Sequence, residues 1–133
     1  MAVAIVRLGS PRRAAGALRL GTVRQPPRGV PKAEHATRDY YDLWLPDLAP
    51  SAALLAWARQ APLTAPRWTM FERRYRREMQ APAVLRLIAL VAALSKRTAL
   101  EVGCYCEDEA RCHRSLLGEL LVDAGAVVEP GPG

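Results

Sequence analysis

Short β-branched runs alternate along this chain with longer stretches whose apolar residues recur every three or four positions, and few architectures accept that alternation. AVAIVRL at residues 2–8 and TALEVGCY at 98–105 have the near-continuous apolar character of strands covered on both faces. RLGTV and YYDLWLP supply two shorter candidates. In the second, Tyr41, Leu43 and Leu45 alternate with Asp42 and Trp44, which predicts a core strand ended by Pro46. AVVE at 126–129 predicts a last short strand. Between them, Ser51 is placed to cap a helix carrying Leu54, Leu55 and Ala58, stopped by Pro62. Trp68, Phe71, Tyr75 and Met79 share one side of a second helix over 67–80, and Val84, Leu87, Ile88 and Val91 mark a third. Residues 112–124 carry Leu116, Leu117, Leu120 and Leu121 and end at Gly125, as a fourth helix would.

Strands alternating with helices predict an α/β fold: one small Rossmann-like domain spanning residues 1–133, its largely parallel sheet covered by helices on both faces. A chain of 133 residues, half of them hydrophobic, holds one core and is short for two. The PGPG ending at 130–133 is expected to be disordered. No apolar stretch approaches the roughly 20 residues that span a bilayer. No basic region precedes the first apolar run, and the cysteines number three, so a secreted disulfide framework is not expected; free thiols in the cytoplasm are.

The net charge of +6 suits a polyanionic partner. Seventeen of the nineteen basic residues are arginine, however, a bias that genomic base composition also produces, so charge alone assigns no partner. Two segments concentrate it. The prolines of QPPRGVPK hold a basic loop extended, presenting Arg24, Arg28 and Lys32 to a ligand or simply to solvent. Arg73, Arg74, Arg76 and Arg77 lie mostly opposite the aromatic stripe of the second helix, a pattern shared by single-strand nucleic-acid binders and by ordinary half-buried helices.

GCYCEDEARCHRSLL at 103–117 holds all three cysteines and one of the two histidines. It falls where a strand hands over to a helix, and in parallel α/β folds ligands gather beyond the carboxyl ends of strands. Free N–H groups at the helix start favour an anion, Arg111 and Arg114 add donors, and a thiol there is made more acidic. Cys104, Cys106, Cys112 and His113 also form a chemically plausible zinc set. Its C-x-C spacing is tighter than the usual knuckle, and adjacent helical positions point about 100° apart. A phosphatase-type loop needs five residues between cysteine and arginine; Cys106 has four before Arg111 and Cys104 has six. The remaining alternative is small buried side chains at a structural junction.

PPRGVPK, DLWLPDLAPSAALLAWA, FERRYRREM and CYCEDEARCHRSLLGELL, in that order, resemble the bacterial domain of unknown function 488 family, also called YeaO-like, from about Arg19 to about Gly125. The resemblance implies a small cytosolic Rossmann-like protein and supplies no reaction. Some members similar through WLPDLAPS and RRYRREM lack the cysteines and keep a histidine in the region of His113. That implies a pocket built on His113, Arg7, Arg24, Arg28 and Tyr75, with Glu78 orienting an arginine.

The combined expectation is a small anionic ligand, such as a nucleotide or phosphorylated metabolite, held between the strand ends, the PPRGVPK loop and the helix starting at Cys112. Arg7, Arg24, Arg28, Tyr75, Cys112 and Arg114 would bind it. His113 would act as acid or base, with Cys104 and Cys106 as candidate nucleophiles. No cofactor is required by this reading; zinc on the Cys/His set and a nucleic-acid module on the arginine-rich helix are the alternatives. No catalytic triad, Walker loop or GxGxxG is present to name a reaction class. An apolar helix face fits a sheet and a second subunit equally well, so the pattern assigns no subunit count.

Overall fold

The structure is a computed structural model that describes residues 2–106 and 111–129. Strands β1 (Val3–Arg7), β2 (Leu18–Gly21), β3 (Leu43–Trp44), β4 (Leu100–Cys104) and β5 (Val128–Glu129) form one sheet in the order β3-β2-β4-β1-β5, with every pairing parallel. The helices are α1 (Ala52–Arg59), α2 (Ala65–Glu78), α3 (Pro82–Leu94) and α4 (His113–Asp123). This is the expected α/β, Rossmann-like arrangement. The expected tail at 130–133 and most of the EDEAR turn lie outside the described residues. No helix among the described residues is long and apolar enough to cross a membrane.

Local chemistry sets the helix ends. Ser51 caps α1, its Oγ accepting from the Leu54 N–H at 3.1 Å, while Glu78 accepts from the Ser51 N–H at 2.8 Å and from its hydroxyl. Glu78 therefore ties α2 to the start of α1; the family likeness implied that it orients an arginine, and among the described residues no arginine pairs with it. Pro66 and Pro82 occupy the first turns of α2 and α3, where a missing N–H breaks no helical bond. Gly125, with φ of 104°, turns the chain out of α4 in a conformation that other residues avoid.

The two faces of the sheet are closed differently. Val3 and Ile5 of β1, Leu20 of β2, and Leu100 and Val102 of β4 join Leu54, Phe71, Tyr75, Ile88, Val91, Leu117 and Leu121, drawn from all four helices, in one core. The alternate positions Ala4, Arg19, Gly21, Glu101 and Gly103 are small or charged, and the irregular chain of residues 8–17 and 22–41 meets them instead of the expected second helical layer. Arg19 explains why. It is fully buried, with its Nε 2.8 Å from Glu101 Oε1, and its remaining donors reach the carbonyls of Ser10, Asp39 and Pro11. Helix carbonyls are already bonded within their helix, so only irregular chain offers acceptors of this kind.

β3 corrects an expectation. The alternation in YYDLWLP predicts a core strand, but only Leu43 and Trp44 pair with β2, at the sheet edge, and they are 52% and 42% exposed. Tyr41 is buried before the strand, its ring packed on Gly21, where any side chain on β2 would collide with it. Pro46 then starts a short 3-10 turn.

Asp42 anchors this edge. It takes both Arg12 Nη1 (2.8 Å) and Nη2 (2.9 Å), and the Arg19 N–H at 2.7 Å. Partial burial works against its ionisation, but the Arg12 hydrogen bonds and the Arg19 amide outweigh it and hold the carboxyl below its ordinary value. A depressed folded pKa contributes stability in full above the unfolded value, about 3.9, and loses it as pH falls through the folded value. Urea midpoints measured between about pH 2 and pH 6 are therefore expected to fall less steeply on the acid side for Asp42→Asn than for the parent. Identical acid limbs would remove this role.

Candidate thiol centre at the carboxyl end of the sheet

β1 and β4 lie side by side, with Arg7 opposite Cys104, and the chain leaves them in opposite directions: from β1 toward β2, from β4 through α4 toward β5. The two connections thus pass each other at the carboxyl ends of the strands, residues 8–17 on one face of the sheet and α4 on the other. Cys104 is the last residue of β4. Cys106 lies two positions on, past a bend at Tyr105, and Cys112 returns as the N-cap of α4 with φ −132° and ψ 146°. All three cysteines are free, and their Sγ atoms lie within 4.8 Å of one another. Cys104 and Cys112 are buried, and Cys106 is exposed.

Thiol-to-thiol hydrogen bonding divides the three. Contacts from Cys104 and then Cys112 hold the Cys106 thiol far below its ordinary value; the Cys106 contact and burial push Cys104 up against the opposing Cys112 contact, and contacts from Cys104 and Cys106, with burial, push Cys112 up. Cys106 is thus the most acidic thiol of the group. The N-terminus of α4 favours negative charge at the same place.

His113 and Arg114, the first residues of α4, frame the thiols. The His113 Nε2 lies 2.5 Å from the Thr22 carbonyl. A carbonyl only accepts, so Nε2 carries the proton. Burial lowers the ring's pKa and keeps it neutral. Nδ1 then presents its lone pair toward Cys112 Sγ, 3.8 Å away. His113 stands outside the group of sulfurs that all approach one another, so the sequence-derived S₃N set becomes three cysteines with a histidine beside one of them. The reason is the expected one: adjacent residues at a helix start diverge.

Arg114 is 4% exposed, and its Nη1 reaches the Cys106 carbonyl at 2.9 Å, the Val6 carbonyl at 3.3 Å and Cys104 Sγ at 3.8 Å. No carboxylate pairs with it among the described residues. A buried cation needs compensation, and here two backbone carbonyls and the neighbouring sulfur surround it.

The other expected site residues are placed as follows. Arg7 is exposed at this end of the sheet, and its Nε donates to the Tyr105 carbonyl at 3.3 Å. Arg24 donates to the Pro50 and Ala49 carbonyls at 3.0 and 3.2 Å, fixing the chain ahead of α1, and Arg28 is exposed on its loop. Tyr75 is fully buried, with its hydroxyl on the Leu48 carbonyl at 2.8 Å and its ring 5.7 Å from the His113 ring, so it supports the histidine from within the core. On α2, Arg74 lies over the Trp57 ring, Arg76 pairs with Glu72 and Glu119, and Arg73 and Arg77 are exposed.

A groove of about 660 Å³ runs between the proline-rich loop and β3, lined by Pro26, Val30, Lys32, His35, Tyr41 and Trp44 among others, and it contains none of the cysteines. Tyr41 lines the groove and belongs to the cluster that holds Cys104 and Cys112, and the Tyr105 hydroxyl donates to the Gln25 carbonyl at 3.0 Å, tying the end of β4 to the proline-rich loop. Thr22 and Tyr41 were not singled out by sequence. A polar residue just after a strand, as in RLGTV, is the signal that points to Thr22.

No curated protein and no solved structure matches the chain. A family model does, over residues 3–125, and it is described as DUF488-N3a, the active DUF488-N3 subclade. That span takes in β1 to β4, all four helices and the cysteine group, and the chain belongs to the DUF488 family.

Proposed function

We propose that the three cysteines bind one soft metal ion of the zinc class at the carboxyl end of the sheet. The observation that carries this is the approach of three sulfurs, from a strand end, the residue two beyond it and a helix N-cap, to within 4.8 Å of one another. Zinc–sulfur bonds of about 2.3 Å put three ligating sulfurs about 4 Å apart, so the group needs to contract by less than about 1 Å. Thiolates select zinc and copper(I) over the hard cations. Three protein ligands leave a coordination position open, as in catalytic rather than structural zinc sites. Arg114 and the α4 N-terminus offset the excess negative charge of three thiolates around a divalent ion. This reading supposes a reducing compartment, where the thiols stay free.

The test is native mass spectrometry of untagged protein purified without chelator. One zinc per chain is expected, lost with chelator and absent from Cys112→Ser. A metal-free mass from protein refolded with excess zinc would remove the proposal. The small anionic ligand expected from the sequence is argued next, at a different atom of the same site.

A further inference from the structure

We infer that the Nε edge of Arg114 is the binding fork for a small oxyanion, a carboxylate or a phosphate, seated beside the thiol centre. The inference rests on the same site as the metal proposal but not on the metal itself.

Every hydrogen bond that Arg114 makes to the described residues leaves from Nη1. Nε is buried and has no partner among them. A guanidinium presents its Nε and Nη2 hydrogens in parallel along one edge, the geometry that takes two oxygens of a carboxylate or phosphate at once. Leaving a buried N–H of a charged group unsatisfied is unfavourable, and such groups are nearly always paired. Here the protein instead fixes the guanidinium through Nη1 on two backbone carbonyls and leaves Nε without a partner among the described residues.

The surroundings fit an anion. Arg114 sits in the first turn of α4, where backbone N–H groups favour negative charge, beside the carboxyl ends of β1 and β4. A second buried donor without a partner, the Tyr41 hydroxyl, belongs to the cluster of side chains that holds Cys104 and Cys112. Arg19, the other deeply buried arginine, provides the contrast, because its Nε is committed to Glu101.

The side-chain Nε–Hε resonances of ¹⁵N-labelled protein test this directly. Burial protects the Hε of Arg19 and Arg114 from exchange, so both are expected to appear near neutral pH. Inorganic phosphate and acetate are each titrated in, at constant ionic strength with chloride as the control. A saturable shift of the Arg114 cross-peak with at least one anion, and none of the Arg19 cross-peak, is expected; which anion moves it decides between phosphate and carboxylate. Arg114→Lys keeps the charge but loses the fork, and is expected to delete that cross-peak and weaken binding at least about tenfold. Should that variant not fold, the parent's own titration still decides. An Arg114 resonance that moves with neither anion overturns the inference. The titration is run on zinc-loaded and on chelator-treated protein. An absence of bound zinc with a shift intact would sink the metal reading alone, while bound zinc with no shift would sink this one alone.

Discussion

Replacing Arg19 with methionine is expected to lower the free energy of unfolding by about 3–5 kcal/mol, the usual consequence of removing one partner of a buried ion pair. Arg19 and Glu101 side chains are 0% and 2% exposed, so neither charge is screened by water. Methionine would leave the Glu101 carboxylate buried with the Arg13 N–H, 2.7 Å away, as its remaining hydrogen bond. It would also strip a donor from the carbonyls of Ser10, Pro11 and Asp39, which fold the loops against the sheet. A domain of this size has about 5–15 kcal/mol of stability in all, so the change is a large part of the total. Urea unfolding followed by tryptophan fluorescence measures it. The double variant Arg19→Met with Glu101→Met removes both charges and is expected to be more stable than the single one, because the uncompensated carboxylate is gone. A loss below about 1 kcal/mol in the single variant would mean that water or a rearranged loop already satisfies Glu101.

The second large effect is linkage to metal. If the three thiolates bind zinc only in the folded chain, stability is expected to rise by about 1.4 kcal/mol for each tenfold increase of free zinc above the dissociation constant, reaching about 4 kcal/mol at a thousandfold excess. Unfolding midpoints in zinc buffers of graded free concentration provide the measurement. Cys104→Ser, Cys106→Ser and Cys112→Ser are each expected to flatten the dependence. Cys106→Ser is the most informative, since its side chain is exposed and its loss disturbs packing least. A flat line for the parent protein would show that the sulfurs approach one another for packing alone.

Tyr75 and Glu78 show how a functional pattern in sequence can dissolve into architecture. Both fall in the arginine-rich helix that resembles a binding surface, yet Tyr75 hydrogen-bonds the Leu48 carbonyl and Glu78 caps α1. Their side chains face α2's neighbours, and helical spacing alone does not say whether a neighbour is a ligand or another helix. The cysteine group went the other way. Its spacing argued against a common metal knuckle, but the bend at Tyr105 just past β4 keeps Cys106 near Cys104, and the start of α4 brings Cys112 back to them.

The sequence by itself determined the alternation of strands and helices, the parallel sheet and the position of the cysteine segment at its carboxyl end, because hydrophobic period, capping residues and prolines are local properties. Tertiary structure alone decided the rest. It paired Arg19 with Glu101, 82 positions away, and so chose irregular chain over helices for the second face of the sheet. It moved YYDLWLP to the edge, drew three sulfurs together, and left the Arg114 Nε without a partner among the described residues. The physical reason is that burial of charge and convergence of side chains are settled by which distant segments share a space, and no local periodicity encodes that.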